Sequence, residues 1–173
     1  MLVTISGLPG SGTTTAGRLL ADALGWEFQS SGELFRSMAG ARGVSLAEFG
    51  ALAESDERID RELDERAVAL MREARGLVME GRLAGWMAFR NAFGKARVWL
   101  ESDAVTRARR VADRDGGSAS QQQAAMTARE TSEAARYRDY YDIDIGSREP
   151  YTLITDSGAL APKAIVARIR GAL

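Results

Sequence analysis

The feature that most constrains this chain is its first two dozen residues. An apolar stretch, Leu2 to Ser6, runs into Gly7-Leu8-Pro9-Gly10-Ser11-Gly12-Thr13-Thr14-Thr15, and a helically periodic apolar segment follows from Ala16 to Leu24. This order predicts a buried strand, a glycine loop and a helix. Glycines accept dihedrals that let successive backbone N–H groups close around an anion, and the positive end of the following helix attracts the same charge. The segment is therefore a phosphate cradle.

Gly7 and Gly12 have the spacing of the nucleotide-binding P-loop, and Thr14 falls where a hydroxyl would hold Mg²⁺. Thr13 occupies the position at which that motif carries lysine. The alternative, an ordinary glycine-rich turn, is disfavoured by the strand before it and the helix after it.

Composition narrows the chemistry. A length of 173 residues suits one domain with a substantial core. Cysteine and histidine are both absent, which removes disulfides, thiol chemistry, the usual general base and the best zinc ligands. Phosphoryl transfer tolerates this poverty, because the protein mainly positions groups and neutralises charge. The balance of 23 basic and 24 acidic residues provides no global field for nucleic acid or an anionic membrane. Lys95 and Lys163 are the only lysines. An arginine-dominated set suits bidentate phosphate contacts, and a GC-rich genome accounts for it equally well. With no basic, apolar leader and no apolar run near the roughly twenty residues that span a bilayer, a cytoplasmic protein is expected, and a monomer.

Further along, Trp26 to Ser30 is a short strand candidate, and Ser31-Gly32-Glu33-Leu34-Phe35-Arg36 opens a helix that ends near Gly40 and Gly43. Ser45 to Glu48 has the capping-box pattern of another short helix, and a long one runs from Ser55 to about Arg75. On the long helix Ile59, Leu63, Ala67 and Leu70 form the apolar seam, so Asp60, Arg61, Asp64 and Glu65 read mostly as solvated surface. Gly76 to Glu80 is a buried strand ending in an acid that can orient Mg²⁺-bound water, with Arg82 just beyond. Ala96 to Leu100 and Tyr151 to Thr155 complete five strand candidates, and a closing helix starts at about Pro162. Strands alternating with helices predict an α/β fold with a parallel sheet covered on both faces, binding ligands at the strands' carboxyl ends.

The helix after Ser102-Asp103 places Arg107, Arg110 and Arg114 on one face, a cluster that favours an anion between the guanidiniums over plain solvation. Asp115-Gly116-Gly117-Ser118 breaks this helix, and polar residues 119–141, with Arg129, Glu133 and Arg136, suit a moving lid; an immobile exposed helical pair is the alternative. Tyr137, Tyr140 and Tyr141, at helical spacing, read as anchors rather than base-stacking ligands.

Together the Gly7–Thr15 loop, Ser30-Ser31-Gly32-Glu33-Leu34-Phe35-Arg36, Glu80-Gly81-Arg82-Leu83-Ala84-Gly85-Trp86 and Ser132-Glu133-Ala134-Ala135-Arg136-Tyr137 resemble the archaeal-type cytidylate kinases. In that family the Gly-Ser-Gly-Thr-Thr-Thr loop is familiar. The resemblance implies a P-loop NTPase fold: a three-layer α/β/α sandwich with a five-stranded parallel sheet, a helical monophosphate-binding insertion at about residues 31–75 and a lid at about 115–141. It implies phosphoryl transfer from ATP to CMP or dCMP with Mg²⁺, the partners being small nucleotides. It also assigns Ser31, Gly32, Arg36 and Arg82 to the acceptor phosphate, Asp60 to the acceptor base, and Arg110, Arg114, Arg129 and Arg136 to the transferred phosphoryl group. Thr14 and Glu80 fall on the metal side. Another acceptor, such as AMP or a small metabolite, and a nucleotide-binding switch that has lost catalysis are the alternatives.

Overall fold

The computed structural model describes all residues 1–173. Five parallel strands form one sheet in the order β2-β3-β1-β4-β5, with β1 at Leu2–Gly7, β2 at Glu27–Ser30, β3 at Leu77–Glu80, β4 at Ala96–Glu101 and β5 at Leu153–Asp156. Every residue of β1 is buried, as a central strand covered on both faces demands. Val3 and Ile5 face one layer, where α1 (Thr13–Leu24) and α8 (Pro162–Arg170) contribute Leu20, Ile165 and Ile169. The opposite layer packs Leu2 and Met79 against Met71 of α4 (Glu57–Glu73), Trp86 of α5 (Ala84–Arg90) and Ile143.

From β1 the chain crosses outward to β2, returns to β3 and passes to β4 on the other side. This makes the carboxyl end of β1 the switch point where a crevice must open. The glycine loop leaves β1 at that crevice. Between β2 and β3, α2 (Ser31–Ala41), α3 (Leu46–Ser55) and α4 pack around a small core of their own: Met38, Phe49, Ala53 and Ile59. Across the crevice, α6 (Ala104–Asp115) and α7 (Ala119–Tyr141) form a hairpin.

Three expectations need correction. The last strand begins at Leu153, because Tyr151 turns its ring onto Trp99, 5.1 Å away between centroids. Asp60 is 3% exposed and Asp64 lines the crevice, so these two acids are not solvated surface, whereas Arg61 and Glu65 are exposed as expected. The helix buries its Ile59–Ala67 seam on one side and turns these carboxyls toward α7 on the other. Third, residues 119–141 form one continuous helix whose second half is built into the body. Tyr137 enters the core, the Tyr140 hydroxyl donates to the Ala53 carbonyl at 3.3 Å and Arg90 donates to the Tyr141 carbonyl at 2.8 Å. The tyrosines are anchors, and only the turn between α6 and α7 with the first turns of α7 stands fully in solvent.

Candidate active site

Four helices, α1, α2, α5 and α8, start without a side-chain cap. Ser45, Asp56, Asp103 and Ser118 cap α3, α4, α6 and α7 with their side chains. α1 and α2, which begin at the crevice, have no side-chain cap. Their first N–H groups are left for another acceptor, and an anion suits them because the helix dipole adds to the attraction.

At α1 the loop holds its shape through Gly10 and Gly12, with φ of 80° and 85°. A Cβ on Gly10 would come within 2.6 Å of the Arg107 carbonyl oxygen, as well as forcing a left-handed backbone on an L residue. Gly10→Ala is therefore expected to weaken binding of a phosphate-bearing ligand at the loop at least about tenfold, read by nucleotide titration, since the loop must move by more than the tolerance of its N–H cradle.

At α2 the natural cap, Ser30, is diverted. Its hydroxyl donates to Glu80 Oε2 at 2.6 Å, and the Thr13 hydroxyl donates to Glu80 Oε1 at 2.8 Å. Glu80, 6% exposed, thus ties the two uncapped helix starts together at the end of β3. Thr13, in the lysine position, does not point a cation at the crevice but secures this carboxylate.

The crevice encloses about 1200 Å³ and brings nearly all the sequence-predicted residues together. Leu8 to Thr15, Ser31, Gly32, Arg36, Asp60, Glu80, Arg82, Arg110, Arg114, Arg129 and Arg136 all line it. Gly7 sits just behind and offers its carbonyl to Arg82 at 2.9 Å. Arg36, exposed, lies over Gly32 on the first turns of α2. Arg82, by contrast, is nearly enclosed: its Nε donates to Glu133 Oε2 at 2.9 Å, which leaves one terminal amino group without a protein partner. Arg129 donates to the other oxygen of Glu133 at 2.7 Å. Arg136 bonds Asp60 at 2.7 Å and Ser132 at 2.8 Å, which places it on the α4 side of the crevice.

The three-arginine stack on α6 does not hold. Arg107 is buried under the glycine loop, donating to the Pro9 and Ser102 carbonyls and to Glu130, and so buttresses the loop from behind. Only Arg110 and Arg114 reach the crevice. Arg110 donates to the Ser157 carbonyl at 2.6 Å, and Arg114 pairs with the neighbouring Asp115. The separation follows from loop contact: a guanidinium next to exposed backbone carbonyls is satisfied there and needs no anion.

Sequence reasoning missed four residues. Ser157 locks the loop by donating to the Ser11 carbonyl at 2.6 Å, and Ser30 holds Glu80. Glu133 couples two arginines, and its i, i+4 spacing from Arg129 was a usable signal. Asp64, one turn beyond Asp60, also faces the crevice.

Residues 2–159 match the family model described as the cytidylate kinase-like family. The chain belongs to that family. It is 45% identical over 157 residues to a cytidylate kinase of Methanococcoides burtonii, covering 91% of this chain and 87% of that one. To a cytidylate kinase of Halobacterium salinarum it is 42% identical over 165 residues, with 95% and 85% covered. Among solved structures, a shikimate kinase from Bacteroides thetaiotaomicron superposes with a TM-score of 0.66 at 14% identity, over 99% of this chain and 97% of that one. This places the fold among the P-loop kinases, the three-layer α/β architecture that the family resemblance implied. No helix is long and apolar enough to cross a membrane.

Proposed function

We propose that this chain transfers the γ-phosphoryl group of ATP to CMP or dCMP, giving ADP and the pyrimidine diphosphate. The observation that carries this reading is the pair of uncapped helix starts facing one arginine-lined crevice, an arrangement suited to two phosphate-bearing substrates meeting end to end. The family is one of nucleoside monophosphate kinases, and its named members favour CMP over AMP or a small metabolite as acceptor, and catalysis over a silent switch.

In this mechanism the ATP phosphates rest on the loop from Gly7 to Thr15. The acceptor phosphate lies against the start of α2 at Ser31 and Gly32, aimed in line by Arg36 and the free amino group of Arg82. Arg110 and Arg114 approach the transferred group from α6 and Arg129 from α7, where they stabilise charge as it spreads over the equatorial oxygens. Arg136 joins them from the α4 side, its engagement with Asp60 leaving one amino group free. The hairpin turn and the exposed start of α7 form a lid whose closure brings Arg114 and Arg129 in and excludes water, while Arg136 already stands in place on the anchored half of the helix. The lid arginines supply late the positive charge that a loop lysine would supply permanently.

Mg²⁺ fits this donor set. It is typically held by substrate phosphates with one or two protein oxygens, and the molecule offers one hydroxyl, Thr14, and one acid, Glu80, rather than a carboxylate cage. Bound with the nucleotide, the ion would neutralise β- and γ-phosphate charge. The chain is read as a cytoplasmic monomer acting on small nucleotides.

A coupled ADP-release assay over CMP, dCMP, UMP, AMP and shikimate tests the reading, with CMP and dCMP expected to give the highest kcat/KM. ATP binding without CDP formation would overturn it. Arg114→Ala and Arg136→Ala are each expected to lower kcat about tenfold to a hundredfold in the same assay, and full turnover in both would refute the arginine compensation.

A further inference from the structure

Two carboxyls one helical turn apart line the crevice where α4 faces α7. Asp60 and Asp64 project from the same face of α4 and both line the cavity. Their circumstances differ. Asp60 is committed to Arg136 through a 2.7 Å hydrogen bond. Asp64 has no ion pair. The groups facing it are Asp60 on its own helix, Tyr137 and Tyr141 from α7, and Arg136 beyond Asp60. The Tyr141 hydroxyl beside it is buried and is the donor that offsets part of the cost of its charge. A carboxyl lining a cavity with no paired cation and only that hydroxyl beside it is still costly to ionise, and such a group calls for a ligand that brings its own donor.

The acceptors differ at one edge of the base. Cytosine presents a 4-amino donor beside a ring-nitrogen acceptor, and uracil presents a 4-oxo acceptor beside an N–H donor. We propose that Asp64 is the residue that distinguishes cytosine from uracil, its carboxylate accepting a hydrogen bond from the 4-amino group. An ionised carboxylate only accepts, so it pairs with the amino group and repels the oxo group. Once protonated it both donates and accepts, and it then matches either base. This assignment rests on the acceptor being a pyrimidine monophosphate held between α2, α4 and α7.

Burial pushes the Asp64 carboxyl up to about 7, with the negative charge of Asp60 adding to the rise and Tyr141 offsetting part of it. The discrimination therefore has a pH dependence. Asp64 is increasingly ionised as pH rises from 6 to 8, so the ratio of kcat/KM for CMP over UMP should rise across that range. The ionisation of the substrate phosphate, common to both nucleotides, cancels in the ratio.

The test measures this ratio from pH 6 to 8 for the wild type, Asp64→Asn and Asp60→Ala. An amide both donates and accepts, so Asp64→Asn is expected to lower the ratio at pH 8 by about tenfold to a hundredfold and to flatten its pH profile. The wild-type profile needs no variant and stands as an independent reading. A flat wild-type ratio, or an Asp64→Asn ratio equal to wild type at pH 8, overturns the assignment. Asp60→Ala separates the two levels of the argument. If it raises KM for both nucleotides while Asp64→Asn changes nothing, the base pocket stands and Asp64 is not its reader. If it leaves both KM values unchanged, the pocket itself is wrong and the assignment falls with it.

Discussion

Arg82→Ala is expected to lower kcat/KM for CMP by about 10²–10³-fold, checked by steady-state kinetics at saturating ATP. The side chain spans the junction of three parts of the site. It holds the Gly7 carbonyl at the head of the glycine loop, it is held by Glu133 from α7, and its remaining amino group, without a protein partner, is free for the proposed acceptor phosphate. Losing it removes charge from the acceptor side and also releases the loop and α7 from one another. Arg82→Lys is expected to recover little, because an ammonium on a flexible stem cannot satisfy a carbonyl, a carboxylate and a phosphate in one plane.

Glu133→Ala is expected to be the most destabilising substitution in the site, by about 3–5 kcal/mol, since it leaves the enclosed Arg82 guanidinium without its partner. For a chain of this length that corresponds to a Tm lower by on the order of 10 °C, measured by thermal unfolding at neutral pH. Burial alone would raise the pKa of Glu133, but Arg82 and Arg129 outweigh it and hold the carboxyl below the usual range. Because the folded pKa is lowered, the stabilisation is present above the ordinary glutamate pKa and is lost as pH falls through the folded value. Glu133→Ala should accordingly lose its stability deficit relative to wild type in acid. Asp64 has the opposite sign. Its raised pKa means that stability falls as pH rises towards 7, so Asp64→Asn should be more stable than wild type at pH 8. A group that weakens the fold when charged, at the place proposed for base recognition, fits a residue kept for recognition.

The two halves of the crevice differed in how far they could be read from sequence. The conformation of the glycine loop was legible because glycine spacing along the chain reports backbone geometry directly. That Arg36 and Arg82 line the crevice was legible because each follows a strand's carboxyl end, where a parallel sheet opens its crevice. The α6 arginines show where such reasoning stops. Arg107, Arg110 and Arg114 share a face by spacing, yet one lies under the loop and two in the crevice, and only the position of the Pro9 and Ser102 carbonyls separates them.

Local order along the chain thus determined the five-stranded parallel architecture, the phosphate loop, the absence of a histidine or cysteine chemistry and the arginine character of the site. Tertiary structure alone decided that Thr13 and Ser30 share Glu80, that Arg82 reaches Glu133, and that Asp60 and Asp64 face the crevice instead of solvent. The reason is range. Backbone conformation and hydrophobic periodicity depend on near neighbours in sequence, whereas the buried carboxylates Glu80 and Asp60 take their partners from 50 to 76 residues away.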